Sequence, residues 1–495
     1  MSLKKNIGIL SGVLIFILIQ LLPTPAGMSP AAKGTAAVVV LMSIWWITEA
    51  IPVYVTAFLP LVLFPFLKVL TPAETASNYG HNYVLMFLAI FFLAKAIETQ
   101  NLHKRIALRI IALFGTSRSK IILSMMVATA FISMWIANVT TALMMLPIGM
   151  SIIEKDENIS GEKNRFPTAL MLAIAYSASL GGIATLIGSP TNMILVGIFE
   201  KLFPDAPTFN FFSWLKIGLP VVVIFIPIFW LFIIKYFKVS GNLSDNLTVV
   251  NEELKALGTI KSGEKRVLYV AILTVVAWVF KDTLSIGSFN IYGWTDMLGI
   301  SGTIHDSTIA IASAILLFII PADKNRKLLN WNEASLVPWG VCIIVGGGYA
   351  VASAFDSTGL ANWLGGQLTF ISNFSFFAIL FIIIAFVLTF TEFNSNTASA
   401  NILLPILAST ALAAQLNPLL FMIPATVACS CAFMMPAATG PNTVVFASNH
   451  VSVSEMIKCG FWLNLIVLLI LPIIFYFIII PWLGIQLDLP IWALK

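Results

Sequence analysis

The sequence predicts an all-α polytopic membrane protein, with about eleven transmembrane helices and two re-entrant hairpins arranged as an inverted repeat. Three observations support this fold class. Hydrophobic residues make up 59% of the 495 residues and charged residues only 10%, whereas soluble domains carry about 25% charged residues. Most of the chain lies in apolar runs of about 17 to 25 residues, the length that crosses a bilayer. Two distant apolar segments also carry the same polar motif.

The apolar runs define the individual spans. The first follows two lysines as a signal peptide would, but a second span follows almost at once, so we interpret it as a retained helix. Two further segments, 117–153 and 371–414, are predicted to enter the membrane and return on the same side. The spans lie near residues 7–24, 34–50, 53–70, 83–110, 166–200, 212–236, 266–282, 304–320, 336–355, 418–448 and 459–482.

The basic residues predict the orientation in the membrane. With the N-terminus inside, most of the 27 Lys and Arg residues fall in cytoplasmic stretches, as the positive-inside rule requires. The C-terminus is then extracytoplasmic, and we expect a multi-pass protein of the cell membrane, with the lipid bilayer as its surroundings. The basic residues are spread over loops rather than gathered on one face, so we expect no nucleic-acid partner.

The cysteines and histidines indicate no resident metal or cofactor. All four cysteines fall in apolar segments, and two of them, Cys429 and Cys431, are two residues apart, which is neither a redox nor a zinc spacing. The four histidines are scattered along the chain. No histidine lies near Ser395 or Ser189 in the sequence, so the chain also lacks a base for nucleophilic catalysis. We therefore expect a protein that is not an enzyme.

The repeated motif lies at the centre of each predicted hairpin. The same offset, 258 residues, separates Asn138 from Asn396 and Ser133 from Thr391. A straight span would leave these polar groups in hydrocarbon, whereas irregular backbone at membrane depth persists where protein or water covers it. The first hairpin begins and ends among basic residues, and the second lies in a long stretch without any. The hairpins therefore enter from opposite faces, as in an inverted repeat.

Each hairpin is followed by a long helix that is interrupted by glycine and proline. The interruptions run from Gly181 to Asn192 and from Met435 to Asn442. Glycine and proline unwind a helix, which frees backbone carbonyls and creates a new helix N-terminus inside the protein. Paired interruptions of this kind are typical of the midplane binding site of secondary transporters.

These parts predict a site for a small dianion. Helix N-termini attract anions without a basic side chain, and two hairpin tips can hold two carboxylates. We predict donors to one carboxylate from Ser395, Asn396 and Thr397, and to the other from Asn138 and Thr141. The predicted substrate-binding set also includes the helix interruptions, at Ser189, Pro190, Thr439, Gly440 and Pro441. Supporting roles are predicted for Ser133, Gly188, Asn192, Thr391 and Asn442.

The residues resemble the divalent anion/sodium symporter (DASS, INDY-type) family of di- and tricarboxylate transporters over nearly the whole chain. The resemblance rests on Trp46–Pro52, Ser395–Thr397, Ala184–Gly188 and Gly440–Asn442. It implies an elevator-type protein, in which a scaffold domain forms a homodimer and a transport domain moves across the membrane with the substrate. It also implies that the tips contact the carboxylates and that sodium lies between each tip and the adjacent broken helix.

The implied domains follow the repeat. Residues 1–112 are scaffold helices, and 113–205 are the first hairpin and broken helix of the transport domain. Residues 206–370 are scaffold helices and the cytoplasmic loop, 371–450 are the second hairpin and broken helix, and 451–495 are the last helix and tail.

The first tip departs from the pattern of the family. It has Ala137 and Val139 where the family has serine and threonine, so two hydroxyls are missing. Sodium needs about five or six oxygen ligands. Backbone carbonyls, supplemented by Ser133 and Thr391, remain available, but the first site is poor in ligands, and the sodium position considered is near Thr391 and Asn396. We therefore expect exchange of C4 or C5 dicarboxylates (succinate, malate or 2-oxoglutarate) without a cofactor. Sodium-coupled symport of di- or tricarboxylates, and transport or channel conduction of another anion such as sulfate, remain alternatives.

Overall fold

The computed structural model describes residues 3–113, 117–160, 165–241, 246–286, 289–367 and 374–494, and helices dominate these residues. The part of the chain before the first hairpin forms seven of the described helices. They are α1 (Leu3–Leu21), α2 (Pro30–Thr48), α3 (Val53–Thr56), α4 (Leu59–Phe66), α5 (Pro72–Tyr79), α6 (Asn82–Thr99) and α7 (Leu102–Ala112).

The first hairpin consists of α8 (Arg118–Ser133) and α9 (Asn138–Ser160), joined by a tip at residues 134–137. The hydroxyl of Ser117 caps α8 by accepting the N–H of Lys120. After the hairpin, α10 (Phe166–Gly181) ends and α11 (Pro190–Leu202) begins, with turns and bends at residues 182–189 between them. Pro190 opens α11, because the first helical position needs no backbone donor. The long helix α12 (Phe211–Tyr236) follows.

The middle of the chain joins the two repeats. A two-stranded antiparallel hairpin, β1 (Leu284–Ile286) and β2 (Phe289–Ile291), pairs Leu284 with Ile291. The helices of this part are α13 (Asn246–Leu257), α14 (Ser262–Val279), α15 (Trp294–Met297), α16 (Asp306–Ile319), α17 (Trp331–Ala334), α18 (Trp339–Thr358) and α19 (Leu360–Gln367).

The second half repeats the hairpin and the broken helix. The second hairpin consists of α20 (Phe376–Glu392) and α21 (Asn396–Ala413), with its tip at residues 393–395. The broken helix consists of α22 (Leu419–Cys429) and α23 (Gly440–Phe446), separated by residues 430–439. The last helix, α24 (Val453–Ile474), continues through a π-helical turn at Phe475–Ile479 into α25 (Ile480–Leu483).

The predicted fold class is confirmed, with two spans divided: span 53–70 forms α3 and α4, and span 83–110 forms α6 and α7. The described residues contain six helices that are long and apolar enough to cross a membrane, together with shorter apolar helices. Both hairpins and both broken helices are present, but the second interruption, residues 430–439, begins five residues before the predicted Met435. The predicted span 83–110 is two helices, because Asn101 adopts a left-handed conformation (φ 58°) that ends α6 and starts α7 in a new direction.

The core is organised around the first broken helix. Every residue of α10 is buried, because α8, α9, α12 and α23 all pack against it. Helix α12 also packs on α8, so it lies beside the first hairpin, although the sequence analysis grouped it with the scaffold. The division into scaffold and transport domains stays a prediction, and its boundary between residues 370 and 371 lies outside the described residues.

Candidate functional site

The first hairpin tip is surrounded by oxygen atoms. Ser133, at the end of α8, donates from Oγ to the carbonyl of Ala178 at 2.7 Å. One terminal atom of the Asn138 side-chain amide lies 2.9 Å from Ser133 Oγ, 3.3 Å from the carbonyl oxygen of Ala178 and 3.1 Å from that of Gly188. We call these three oxygens and the Asn138 side chain the first oxygen cluster.

The chemistry of the first oxygen cluster depends on which end of the Asn138 amide faces it. With the nitrogen inward, the amide donates to its neighbours and the cluster is satisfied without an ion. With the oxygen inward, oxygen atoms converge and repel one another unless a cation lies between them. Hard cations such as sodium accept oxygen ligands of this kind. The surrounding acceptors favour the nitrogen inward, so the first oxygen cluster fits a sodium ion once the amide turns its oxygen toward it.

The second hairpin repeats this arrangement. Thr391 Oγ1 lies 3.1 Å from Asn396 Oδ1 and donates to the carbonyl of Cys429 at 2.9 Å. We call these groups the second oxygen cluster. The hydroxyl lies five residues before the asparagine in both hairpins, and in both it reaches the last turns of the next long helix. The sequence repeat is therefore also a repeat of hydrogen bonds.

Each interruption is held open by an asparagine in the helix that follows it. Asn192 Nδ2 donates to the carbonyls of Gly182 and Thr185 at 2.9 and 2.8 Å. Asn442 Nδ2 donates to the carbonyls ten and seven residues before it, at 3.1 Å each. These bonds satisfy carbonyls that the unwound helices leave without partners. Both asparagines are fully buried, so each fixes the path of its interruption.

The two repeats pack against each other in the interior, and two of the contacts between them lie at the tips and interruptions. Thr191 Oγ1 lies 2.8 Å from Ser189 Oγ and 2.9 Å from Ser430 Oγ, which joins the two interruptions. Gly440, at the start of α23, lies so close to Val139 that an added Cβ would overlap the valine methyl group. The first tip therefore packs directly on the second interruption.

Glu392 is a buried carboxylate with a structural role. It accepts hydrogen bonds from the successive backbone N–H groups of residues 433–435 at 2.7–3.1 Å, and from Asn464 Nδ2 at 2.6 Å. Four donors stabilise the charge, so the carboxylate holds the backbone of the second interruption in place. In the first repeat, the Thr185 hydroxyl instead donates to the carbonyl of Met134 at 2.5 Å.

The helices that start at the two tips differ in their caps. Ser395 caps α21 through its hydroxyl, which accepts the N–H of Ala398 at 3.3 Å. Ala137 occupies the matching position before α9 and has no side-chain oxygen. The N–H of Thr140, which corresponds to that of Ala398, therefore receives no cap of this kind. The first tip is left with one more backbone donor for an anion than the second.

The structure brings most of the predicted site residues together around the tips and interruptions. Ser395, Asn396 and Thr397 are half-buried, as are Pro190 and Gly440. The hydroxyl of Thr439 accepts the N–H of Asn442 at 3.2 Å and so caps α23. Pro441 is buried in the first turn of that helix.

Two predicted contacts disagree with the packing. Thr141 is fully buried, and its hydroxyl donates to the carbonyl of Ile136 at 3.3 Å. It lies three residues after Asn138, on a turn of α9 that faces the interior. Ser189 is also buried, and its hydroxyl is engaged with Thr191. Both hydroxyls support the backbone in this conformation and do not face an open site.

Sequence reasoning missed the contributions of neighbouring segments. The backbone carbonyls of Ala178, Cys429 and Gly188 carry no side-chain signal, so only the fold brings them to the tips. The Ser430 hydroxyl and the contact between Val139 and Gly440 were also missed. The chain has Gly440 directly after Thr439, and a glycine at a helix start is a signal of close approach that could have been used.

Comparison with known proteins identifies the family. The family described as "Sodium:sulfate symporter transmembrane region" matches residues 3–484. The sodium-dependent dicarboxylate transporter SdcS of Staphylococcus saprophyticus is 38% identical over 505 residues, which cover 99% of this chain and 94% of that protein. The protein of the same name from Staphylococcus aureus strain MRSA252 is 38% identical over 502 residues, with the same coverage.

Solved structures with low sequence identity share the fold. MtrF of Neisseria gonorrhoeae, whose structure is described as illuminating a class of antimetabolite efflux pumps, aligns with a TM-score of 0.54 at 10% identity. This alignment covers 99% of this chain and 97% of MtrF. The YdaH transporter of Alcanivorax borkumensis gives a TM-score of 0.53 at 12% identity, over 81% of this chain and 87% of that protein. With its paired hairpins, broken helices and full-length relatives, this chain belongs to the sodium:sulfate symporter family, and it is a multi-pass membrane transporter rather than an enzyme.

Proposed function

We propose that this chain is a sodium-coupled transporter of small C4 or C5 dicarboxylates in the cell membrane. One observation carries the proposal: each of the two hairpin tips combines an oxygen cluster with the N-terminus of a helix. A cation and an anion can then bind side by side in each repeat. The names of the relatives, which are sodium-dependent dicarboxylate transporters, support the same substrates.

The substrate is proposed to lie between the tips. One carboxylate accepts hydrogen bonds from Ser395, Asn396 and Thr397, and the other from Asn138 and the backbone N–H groups that start α9. The sequence has no Lys, Arg or His from Ile121 to Glu154 or from Leu328 to Asn449. The donors are therefore uncharged, and the positive ends of the helix dipoles supply the attraction. Such a site binds a dianion and releases it again.

Sodium coupling replaces the exchange mechanism expected from the sequence. That expectation rested on the missing hydroxyls at Ala137 and Val139, but neither side chain takes part in the first oxygen cluster. The cluster instead uses Ser133, Asn138 and backbone carbonyls, all of which this chain retains. The relatives are also named as sodium-dependent. The missing hydroxyls at Ala137 and Val139 are therefore only a weak argument against a sodium site at the first tip.

An elevator movement of a homodimeric protein is proposed as the transport step. Helix α18 contacts both repeats through small residues and few hydrogen bonds. An added Cβ at Gly348 would overlap Asn401 of α21, and one at Gly197 of α11 would overlap Tyr349 of α18. Asn401 Nδ2 donates to the carbonyl of Ile344, and the Tyr349 hydroxyl donates to that of Met193. An elevator step would break both hydrogen bonds.

Uptake by proteoliposomes tests the proposal. Vesicles containing the full chain are assayed with labelled succinate, malate, 2-oxoglutarate, citrate or sulfate, under an inward sodium gradient or with choline in its place. We expect sodium-stimulated uptake of a C4 or C5 dicarboxylate into vesicles that contain no substrate. Uptake that requires a dicarboxylate inside and ignores sodium would instead establish exchange. Uptake of sulfate alone would assign the other substrate class.

A further inference from the structure

An apolar groove of about 240 Å³ opens between the first hairpin and three other helices. Phe131 and Trp135 form the hairpin wall, and Ile272 and Val276 of α14 face them. Parts of α6 and α7 close the groove. His103 is its one polar lining residue, and its Nδ1 lies 3.3 Å from the carbonyl of Ile97. The groove therefore offers a ligand almost no hydrogen-bonding partners.

The surroundings of the groove are apolar on the outside as well. Phe131, Ile272 and Val276 are 40%, 49% and 45% exposed. These exposed side chains lie on helices of a membrane-spanning protein, so we expect them to contact lipid rather than water. Apolar cavities of this size stay free of water and accept hydrocarbon. An alkyl chain is therefore the occupant that the lining favours.

A basic residue lies at one end of this surface. Lys265 precedes Leu268 by three residues and Ile272 by seven, so the three share one face of α14. Lys265 is exposed and lies in the first turn of the helix. A lysine at a helix end extends its ammonium group to the membrane surface, where it attracts anionic headgroups by about 1 kcal/mol.

We propose that the groove binds one acyl chain of an anionic phospholipid whose headgroup contacts Lys265. The bound chain lies between the first hairpin and α14, and it fills a gap between surfaces that would otherwise contact each other poorly. The site is assayed without any transported substrate. The proposal therefore stands or falls separately from the proposed function.

Native mass spectrometry of the purified full-length chain tests the site. Protein is equilibrated with phosphatidylglycerol or phosphatidylcholine, and the lipid that stays bound is counted. Ala271→Phe fills the groove, and Leu273→Phe is the matched control, because Leu273 is exposed on the same helix outside the groove. We expect one tightly held phosphatidylglycerol per chain, which Ala271→Phe removes and Leu273→Phe keeps.

The charge is tested with Lys265→Gln against Lys120→Gln, an exposed lysine of α8 outside the groove. Lys265→Gln should lower the preference for phosphatidylglycerol about fivefold, and Lys120→Gln should leave it unchanged.

A further measurement needs no groove-filling variant. Phosphatidylglycerol brominated on its acyl chain should quench tryptophan fluorescence, and Trp135→Phe should remove part of that quenching. Equal lipid retention by folded Ala271→Phe, or equal quenching in Trp135→Phe, would overturn the proposal.

Discussion

The two hairpin tips share one half of their chemistry and differ in the other. Both have a hydroxyl, an asparagine and a carbonyl from the next helix in the same arrangement. On either side of the asparagine, however, the second tip has Ser395 and Thr397, whereas the first has Ala137 and Val139. Each oxygen cluster lies between the asparagine and the neighbouring broken helix. The residues that differ are the two next to each asparagine in the sequence.

This difference separates cation binding from anion binding, two tasks that lie within a few residues of each other. The groups behind each asparagine can hold a cation, and the flanking groups with the helix N-terminus can hold an anion. The first tip keeps the groups that can hold a cation, but it lacks side-chain donors that could hold an anion. It also gains the contact between Val139 and Gly440. The two ends of a bound dicarboxylate are therefore expected to be held unequally.

The largest expected effect comes from the asparagines, because each belongs to both tasks. Asn138→Ala and Asn396→Ala remove a cluster oxygen and a donor to the substrate. Each should lower the initial rate of uptake at low substrate concentration by about 100-fold, since hydrogen bonds to charged groups contribute about 1.5–3 kcal/mol each. Both variants should remain monodisperse in size-exclusion chromatography. An active, folded Asn396→Ala variant would remove the second tip from the site.

A matched exchange of side chains tests the asymmetry directly. Thr397→Val gives the second tip the apolar side chain of the first, and Val139→Thr does the reverse without changing volume. We expect Thr397→Val to raise the KM for succinate about fivefold and Val139→Thr to lower it by a similar factor, because one hydrogen bond contributes about 1 kcal/mol. The half-saturating sodium concentration serves as the internal control. If it changes as much as KM, the two tasks are not separate.

A double-mutant cycle tests the contact between the first tip and the second interruption. Gly440→Ala places a methyl group against Val139, and overpacking of this kind costs about 1–3 kcal/mol. We expect uptake to fall about tenfold in this variant and to recover largely when Val139→Ala is added. Uptake by Val139→Ala alone gives the baseline. A lack of recovery in the double variant would mean that Gly440 is needed for another reason.

The smallest expected effect is that of Ala137→Ser, which gives the first tip the cap that the second has. A helix cap contributes about 1 kcal/mol, so the Tm measured without substrate should rise by about 1–2 °C. With succinate present the rise should be smaller, because a bound carboxylate already accepts from the same N–H groups. An equal rise with and without succinate would indicate that no carboxylate binds at the start of α9.

The sequence predicted the fold and the tips because both depend on local patterns. Apolar run lengths identified the spans, and the constant offset between Asn138 and Asn396 identified the repeat. The direction of a given side chain within a helix was harder to predict. Thr141 shares a helix face with Asn138, but the packing of neighbouring helices buries it, and its hydroxyl donates to the carbonyl of Ile136. The expectation of exchange was drawn from side chains alone, and the backbone carbonyls in the oxygen clusters leave no trace in the sequence.

The arrangement of substrate at the tips is tested most directly by an experimental structure of the full chain with sodium and succinate. We predict density for one succinate between the tips, with one carboxylate within hydrogen-bonding distance of Asn396 and Thr397. The other carboxylate should meet the backbone N–H groups of Val139 and Thr140, and the Asn138 amide oxygen should face an ion in the first oxygen cluster. Succinate bound away from the tips, or held at the first tip by no N–H group of α9, would contradict the account.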